Sequence, residues 1–380
     1  MIHKIKISNF KSINELELEL GRVNVLIGEN GCGKTNILEA IVFGSIGMYS
    51  MAGFEDILIA ARGARVTDIK LTKPAFQKKD DPNVIVKTSF LNGENLGFNV
   101  QTYYKRIEES DPFYDEAIHG GPTPPLIRGI YIDHIGEDNK AKDYYLPGDT
   151  LKRVRELFGN EDVQNFVIFC PENYFLRRFE EEGQIKPLGT RGEGLFKHLV
   201  KLHTDHPEII KKMNKKLRLI DWFDGFEIPN NLMFTETRLN IKDKYLEGLD
   251  YFDQRSANEG FLHLLFYFTL FMSPYTPGFF AVDNIDTALN PKLAARLIKE
   301  LTIIAKENNK QVLLTTHNPG VLDGLDLKDD DQRLLSIYRD IDGETSAYRI
   351  MPLKPVSGRE SVRLSEAFVR GYIGALPQNF

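Results

Sequence analysis

The sequence predicts an α/β fold, and three short stretches support this prediction. Each is an apolar strand that ends in a polar or Gly-rich turn: VNVLIGENGCGKT at 23–35, GFFAVDNID at 278–286 and QVLLTTHNP at 311–319. Apolar residues at helical spacing follow the first two stretches, and they are Ile37, Leu38, Ile41 and Val42, then Leu293, Leu297, Leu301 and Ile304. Strands that alternate with amphipathic helices are typical of this fold class.

Composition limits the classes of protein that need to be considered. The chain has 380 residues, of which 42% are hydrophobic, and a net charge of −6, so no general basic field predicts nucleic-acid binding. Its two cysteines cannot form a disulfide framework or a zinc site. The most apolar stretch, FLHLLFYFTLFM at 261–272, is too short to span a bilayer and predicts a buried helix. We find no signal peptide and expect a cytoplasmic protein without a membrane partner.

The N-terminus predicts a β-hairpin followed by a phosphate-binding loop. Residues 2–10 (IHKIKISNF) and 15–20 (ELELEL) alternate apolar and polar side chains, as half-buried strands do, and residues 11–14 join them. Residues 28–35, GENGCGKT, then match the pattern G-x-x-x-x-G-K-[ST] between a strand and a helix. This context makes binding of ATP or GTP the strongest prediction of the sequence.

Each residue of the loop has a physical role in that prediction. Gly31 and Gly33 let backbone N–H groups face the phosphates at the positive end of a helix. Lys34 supplies a point charge to the β and γ phosphates, and the Thr35 hydroxyl is a ligand for Mg²⁺. Cys32 fills a variable position of the loop rather than acting as a redox switch. We also expect nucleotide contacts at Lys11, Asn30, Cys32 and Asn36.

The distal stretches predict the remaining parts of a nucleotide site. Asp283 ends an apolar strand, where a carboxylate is well placed to hold Mg²⁺. Asn290 and Pro291 are suited to cap and begin a helix. His317 follows the strand at 311–316, and we expect it to sense a γ-phosphate.

The sequence resembles ABC-type ATPases of the group that contains SMC proteins, RecF and the OLD-family phage-defence ATPases. The resemblance rests on IKISNFKSI, GENGCGKTN, AVDNIDTALNP and LLTTHNP in the expected order. It implies a P-loop ABC-ATPase head and a head-to-head homodimer, or higher homo-oligomer, with ATP between the P-loop of one copy and the signature segment of the other.

Two segments of that family are less clearly matched here. SANEGFLHLLFYF at 256–268 has the position of the signature segment, with Ser256, Asn258, Glu259 and Gly260 as nucleotide contacts, although Ser256 lies two residues early. A capped, buried helix without a ligand is the alternative. For the Q-loop the best candidate is VIFCPENYFLRR at 167–178, where Glu172 or Asn173 stands in place of a glutamine.

Asn284 stands where the family has a catalytic glutamate. An amide can orient the attacking water but cannot take its proton, so we expect slow hydrolysis. Asp286 could serve instead, because strand alternation would place residues 284 and 286 on the same side. The predicted catalytic residues are therefore Asn284, Asp286 and His317.

The resemblance also suggests a division of the chain into five parts. These are 1–44 (N-terminal head with the P-loop), 45–165 (mainly β-rich insertion), 166–190 (Q-loop-like region), 191–250 (a short helical, basic lid in place of coiled-coil arms) and 251–380 (C-terminal head). The lid carries a basic helix face that predicts either a solvated surface or contact with DNA or an acidic partner, and its residues are Lys211, Lys212, Lys215, Lys216 and Arg218.

Several functions fit these features. Compact members of the group without their own nuclease, such as those of the Septu and PARIS systems, act with a separately encoded nuclease or toxin. We therefore expect an ATPase that holds and gates such an effector in anti-phage defence. The alternatives are a RecF-like DNA-repair ATPase that clamps DNA, and an ATP-binding scaffold without turnover. The N-terminal strands and long insertions argue against a transporter subunit.

Overall fold

The structure is a computed structural model. It describes residues 1–46, 62–65, 83–92, 97–106, 126–135, 141–144, 163–179, 187–229, 237–352 and 362–373. The described strands are β1 (Lys4–Phe10), β2 (Ile13–Glu19), β3 (Val23–Ile27), β4 (Asn83–Leu91), β5 (Gly97–Arg106), β6 (Leu126–Ile135), β7 (Ala141–Tyr144), β8 (Ile168–Phe169), β9 (Phe223–Glu227), β10 (Asn240–Asp243), β11 (Phe279–Val282), β12 (Gln311–Thr316), β13 (Gln332–Arg339) and β14 (Thr345–Ile350). The described helices are α1 (Lys34–Ile46), α2 (Asn173–Arg178), α3 (Leu195–Asp205), α4 (Pro207–Leu217), α5 (Glu259–Met272), α6 (Pro291–Glu307) and α7 (Leu364–Val369), with a 3-10 helix at Pro319–Gly324.

One sheet is antiparallel and begins with the predicted N-terminal hairpin. Strands β1 and β2 pair with Phe10 opposite Ile13, which confirms the hairpin. Strand β4 pairs with the other edge of β1, and the sheet has the order β2-β1-β4-β5-β6-β7. Four strands from the region predicted as an insertion therefore extend the sheet that the hairpin begins.

The second large sheet is mixed and contains the three predicted strands. Its order is β14-β13-β3-β12-β11-β8, and all neighbours are parallel except β13 and β14. Parallel pairing brings Ile27 opposite Thr316, and Val282 opposite Leu314. Because the carboxyl ends of parallel strands meet at one edge of a sheet, the loops after β3, β11 and β12 lie together there.

Alternate side chains of the mixed sheet pack on opposite sides of it. Val23 and Val25 of β3 face a core that includes α3 to α6, whereas Leu26 faces a core formed by α1 and the antiparallel sheet. This alternation is the ordinary consequence of a pleated strand. The sheet that carries the site is thus held between two buried layers, and its strand ends are positioned rigidly.

The helical predictions on either side of β11 are confirmed. Residues 261–272 are buried throughout α5. Asn290 caps α6, since its side chain accepts a hydrogen bond from the Leu293 N–H at 2.9 Å, and Pro291 begins the helix. Within the described ranges, no helix combines the length and the apolar character that a membrane crossing requires.

The region predicted as a lid contains two 11-residue helices, α3 and α4, followed by β9 and β10. Its basic face is largely neutralised, because Lys212 pairs with Glu307, Lys216 with Glu300 and Arg218 with Asp224. The domain boundaries remain predictions. Parts of the predicted insertion, Q-loop region and lid lie outside the described residues, namely 47–61, 66–82, 93–96, 107–125, 136–140, 145–162, 180–186 and 230–236.

Candidate functional site

The phosphate-binding loop connects β3 to α1 and has the backbone that its glycines allow. Gly31 and Gly33 have φ values of +78° and +109°, in the region that favours glycine. A Cβ atom on Gly33 would lie 2.2 Å from Oγ1 of Thr345. Thr345 itself donates a hydrogen bond to the Cys32 carbonyl at 2.9 Å. The start of β14 therefore supports the loop from behind, and only glycine fits at position 33.

Lys34 lies at the start of α1 with its ammonium turned into the loop. Its Nζ donates hydrogen bonds to the carbonyl oxygens of Gly28 and Glu29, each at 2.8 Å. The residue is 6% exposed, and this burial lowers the pKa of Lys34 from its ordinary value. The Lys34 ammonium therefore donates to its own loop the hydrogen bonds that it could donate to phosphate oxygens.

Asp283 follows β11 and is bonded on both carboxylate oxygens. Oδ1 accepts a hydrogen bond from the Thr315 hydroxyl at 2.5 Å, and Oδ2 lies 3.0 Å from Nη2 of Arg65. The backbone N–H of Arg65 donates to Glu39 Oε1 at 2.8 Å, which fixes the arginine beside α1. None of the motifs in the sequence identifies Arg65 or Thr315 as part of the site.

A cavity of about 360 Å³ lies where these loops meet, and we call it the strand-end cavity. Its described lining is almost wholly polar and consists of Asn30, Gly31, Gly33, Lys34, Thr35, Asn36, Arg65, Asp283, Asn284 and His317. Asp283 is the only carboxylate among these described lining residues. The predicted magnesium ligands, Thr35 and Asp283, thus share one cavity with the predicted phosphate contacts.

Asn284 has a left-handed backbone, with φ of +56°. Its N–H donates to Thr315 Oγ1 at 2.9 Å, so one threonine hydroxyl joins Asp283 and Asn284. Asparagine tolerates this conformation better than most residues that have a Cβ. The backbone by itself is a sufficient reason for asparagine at this position.

The expectation for Asp286 rested on strand alternation, and the structure does not have that alternation. Strand β11 ends at Val282, and turns follow from 283 to 288. Oδ1 of Asp286 accepts a hydrogen bond from the Thr316 hydroxyl at 2.6 Å, and the residue does not line the strand-end cavity. The chain turns immediately after the strand, so residues 284 and 286 do not share a side.

His317 lines the strand-end cavity directly after β12, as its position in the sequence predicted. Partial burial lowers the pKa of His317 from its ordinary value, and the nearby Lys34 ammonium lowers it further. The imidazole is therefore neutral near pH 7 and can offer one donor and one acceptor.

Two residues of the N-terminal prediction have other partners. Lys11 forms an ion pair with Glu39, which is 1% exposed and needs a cation, and Lys11 does not line the strand-end cavity. Cys32 is buried beneath the loop, where its sulfur lies 3.7 Å from Lys34 Nζ. Neither side chain lines the cavity in which we expected contact with a nucleotide.

The signature-like segment lies at the beginning of α5, outside the strand-end cavity. Asn258 caps the helix by accepting from the Phe261 N–H at 2.8 Å. A Cβ atom on Gly260 would lie 3.2 Å from the carbonyl oxygen of Ala288, which belongs to the loop after Asp283. Ser256, Asn258, Glu259 and Gly260 do not line the cavity of their own chain.

The Q-loop candidates also lie outside this cavity. Asn173 Oδ1 accepts from Nε of Arg177 at 2.8 Å, and Glu172 is exposed. Nη1 of Arg177 donates to the carbonyl oxygens of Arg255 and Ala257, each at 2.7 Å. Helix α2 therefore supports the segment that precedes the signature-like helix. Within the described part of the chain, no cluster of three or more His, Cys, Asp or Glu residues could hold a metal ion.

Comparisons with known proteins agree with this geometry. The family model described as "AAA domain, putative AbiEii toxin, Type IV TA system" matches residues 23–323. The DNA replication and repair protein RecF of Clostridium tetani is 50% identical over 251 residues, and that of Clostridium kluyveri is 43% identical over 260 residues. These alignments cover 64% and 66% of this chain but only 64% and 63% of the relatives, less than two thirds of their length.

Among solved structures, the fold is similar to that of an SMC head. An SMC head crystallised with the C-winged helix domain of ScpA bound to it has a TM-score of 0.52 and 14% identity to this chain. The match covers 92% of this chain and 98% of that one. At this identity the likeness establishes the fold, an ABC-type ATPase head with a mixed sheet, and nothing further.

Proposed function

The chain belongs to this AAA-domain family, within the SMC and RecF group of ABC-type ATPases, and on that premise we propose that it binds ATP in the strand-end cavity and hydrolyses it slowly. The observation that carries the proposal is the meeting of Lys34, Thr35 and Asp283 in one cavity. A P-loop alone would support nucleotide binding, whereas the carboxylate opposite it adds a site for the metal of Mg²⁺-ATP.

Binding would exchange the present partners of the charged groups for those of the ligand. Lys34 would release the Gly28 and Glu29 carbonyls and donate to phosphate oxygens, while the N–H groups near Gly31 and Gly33 face the same anion. Thr35 and Asp283 supply the two protein oxygens that Mg²⁺ commonly accepts beside phosphates and water. When bound, the metal neutralises phosphate charge.

The slow rate is proposed from the groups that could act on the attacking water. Asn284 can orient a water molecule but cannot accept its proton, and Asp286 is bonded to Thr316 outside the strand-end cavity. His317 lines that cavity and can donate a hydrogen bond to a γ-phosphate oxygen. Positioning and charge stabilisation remain, and these supply most of the catalysis in phosphoryl transfer.

We also propose that ATP joins two copies, with the signature-like segment of one facing the cavity of the other. The position of Ser256 to Gly260 supports this, because these residues do not line their own cavity and yet lie at an exposed helix N-terminus next to the loop after Asp283. A helix N-terminus favours an anion.

Two biological roles remain proposals. The curated relatives are named as DNA replication and repair proteins, which supports an ATP-dependent DNA clamp. The description of the matched family names a toxin and a toxin–antitoxin system, which supports a gate for a separately encoded nuclease or toxin. The ion pairs on α4 argue against that helix as the DNA-binding surface. Salt-sensitive binding of ATP-loaded protein to plain duplex DNA would favour the first role.

The proposal is tested by nucleotide binding and by single-turnover phosphate release. Lys34→Ala should weaken binding of a fluorescent ATP analogue by about 10- to 100-fold, since charge-assisted bonds contribute about 1.5–3 kcal/mol. Lys215→Ala, on exposed α4, is the matched control and should bind as the wild type does. Equal affinity of Lys34→Ala and wild type would refute the site, and fast phosphate release by the wild type would refute slow turnover.

A further inference from the structure

A groove on the side of α6 carries uncompensated positive charge. It has a volume of about 1160 Å³ and lies between α6, the 3-10 helix and α7. Lys292, Arg296 and Lys299 recur at helical spacing on one face of α6, and Arg363 lies at the start of α7. All four are exposed, and in the described part of the chain none has an ion-pair or side-chain hydrogen-bond partner.

The acidic residues of this basic groove offset its positive charge only in part, because the described lining has five basic and two acidic side chains. Asp323 accepts hydrogen bonds from the backbone N–H of Ser365 at 3.0 Å and from its hydroxyl at 2.7 Å. Glu366 pairs with Arg370 at 2.5 Å. These contacts hold α7 against the 3-10 helix, and an excess of three positive charges remains among the described lining residues.

Between the cations, the groove is apolar. Ala295, Leu325 and Leu364 line it, together with Val369, which is 64% exposed. Protein surfaces that bind nucleic acid are more polar and more positively charged than those that bind protein, so this mixture fits the apolar side chains of a protein segment with acidic flanks better than it fits DNA.

A segment with that chemistry is present on the same chain. Residues 245–251, YLEGLDY, form an ordered loop after β10, which we call the apolar loop. Tyr245, Leu246 and Leu249 are 63%, 47% and 54% exposed, although large apolar side chains are usually buried. Glu247 and Asp250 alternate with them, and neither has an ion-pair partner among the described residues.

The apolar loop is held in shape by its own base. Lys244 and Tyr245 both bond the carboxylate of Asp221, at 3.0 and 2.8 Å. Asp243 accepts from the Tyr245 N–H at 2.9 Å, and Gly248 turns the chain with φ of +80°. A preformed loop loses little conformational entropy when it docks, which favours its use as a contact.

We infer that the apolar loop of one copy docks in the basic groove of a second copy. Leu246 and Leu249 would enter between the apolar groups of the groove, and Glu247 and Asp250 would face the basic side chains at its rim. If the contact repeats about a two-fold axis it gives a closed dimer, and otherwise an open chain of copies. Neither surface includes a residue of the strand-end cavity, so this contact is separate from the proposed ATP-dependent one.

Charge reversal tests this inference by sedimentation equilibrium of the full chain without nucleotide. Glu247→Lys with Asp250→Lys should raise the self-association Kd about tenfold or more, and Lys292→Glu with Arg296→Glu should do the same. The two double variants mixed together, or all four changes in one chain, should restore association. Lys211→Glu with Lys215→Glu reverses two exposed lysines of α4 and is the control expected to match the wild type.

Each alternative result overturns the inference. Wild type that stays monomeric at high concentration, or double variants that associate like the wild type, would show that these surfaces do not meet. Failure of the combined variant to recover would mean that each surface binds something else. Loss of duplex DNA binding in the groove variant, with self-association unchanged, would assign the groove to nucleic acid. With dilute protein, each variant should bind the ATP analogue as tightly as the wild type does. A failure of the docking inference can therefore be told apart from a failure of the proposed ATP site.

Discussion

The Thr315 hydroxyl links the Asp283 carboxylate to the backbone of Asn284, and Thr315→Val removes that link with little change in shape. Thr315 is fully buried, donates to Asp283 Oδ1 at 2.5 Å and accepts from the Asn284 N–H at 2.9 Å. A hydrogen bond to a charged group contributes about 1.5–3 kcal/mol and a neutral one about 0.5–1.5 kcal/mol. Asp283 keeps Arg65 as a partner, so we expect the free energy of unfolding to fall by about 3 kcal/mol.

The assay is urea unfolding followed by the fluorescence of Trp222, the single tryptophan of the chain. Thr315→Ser is the control, since it keeps the hydroxyl and loses one methyl group, at a cost of about 1 kcal/mol. Binding of ATP with and without Mg²⁺ is the second readout, and Thr315→Val should weaken the Mg²⁺-dependent part. Two results would contradict a stabilising role for the hydroxyl: Thr315→Val as stable as the wild type, or Thr315→Ser less stable than Thr315→Val.

Three further predictions follow from other contacts. Arg65→Gln removes a competitor for Asp283 and should strengthen Mg²⁺-dependent ATP binding up to about fivefold, which is the range of an exposed ion pair. ATP titrations with and without Mg²⁺ measure the ratio of the two affinities, and a ratio equal to that of the wild type would contradict this prediction. In Asn284→Asp the new aspartate tolerates the left-handed backbone and supplies a carboxylate, so single-turnover phosphate release should rise without loss of stability. Glutamate tolerates this backbone less well, so Asn284→Glu should lower the free energy of unfolding by about 1 kcal/mol. Burial lowers the pKa of His198 to about 4, below its value in the unfolded chain, so the unfolded state takes up the proton first and stability falls as the pH drops below about 6.5. We expect a loss of about 2 kcal/mol between pH 7 and pH 5, which His198→Gln should largely remove in urea titrations at the two pH values.

The framework of the fold could be predicted because local patterns and global packing agree in it. The strands that end at Ile27, Val282 and Thr316 are short apolar runs followed by turn residues, and parallel pairing then forces their ends together. The cap at Asn290 needs only its own helix. Where an element depends on neighbours within a few residues, the sequence is sufficient to predict it.

The remaining site residues depend on contacts that no local pattern contains. Arg65 meets Asp283 across 218 positions of sequence, and Lys11 meets Glu39 because a buried carboxylate on α1 needs a cation. Asp286 was misplaced because strand alternation was extended past the end of β11. An arginine two residues after a glycine, in ARGAR at 61–65, was the available signal for Arg65, and such a pattern is common in surface loops.

Asn284 now has two independent explanations, and they make different demands on the chemistry. If asparagine is present for its backbone, with φ of +56°, then the missing carboxylate is a consequence of the turn after β11 and not a selected brake. If asparagine is present to slow hydrolysis, the backbone does not explain the choice, because an aspartate would adopt the same conformation. The carboxylate of aspartate would then be the feature that is excluded from this position. Faster turnover in Asn284→Asp favours the second explanation, because the turn accepts either residue. Unchanged turnover favours the first, because the position would then lie too far from the water for a carboxylate to matter.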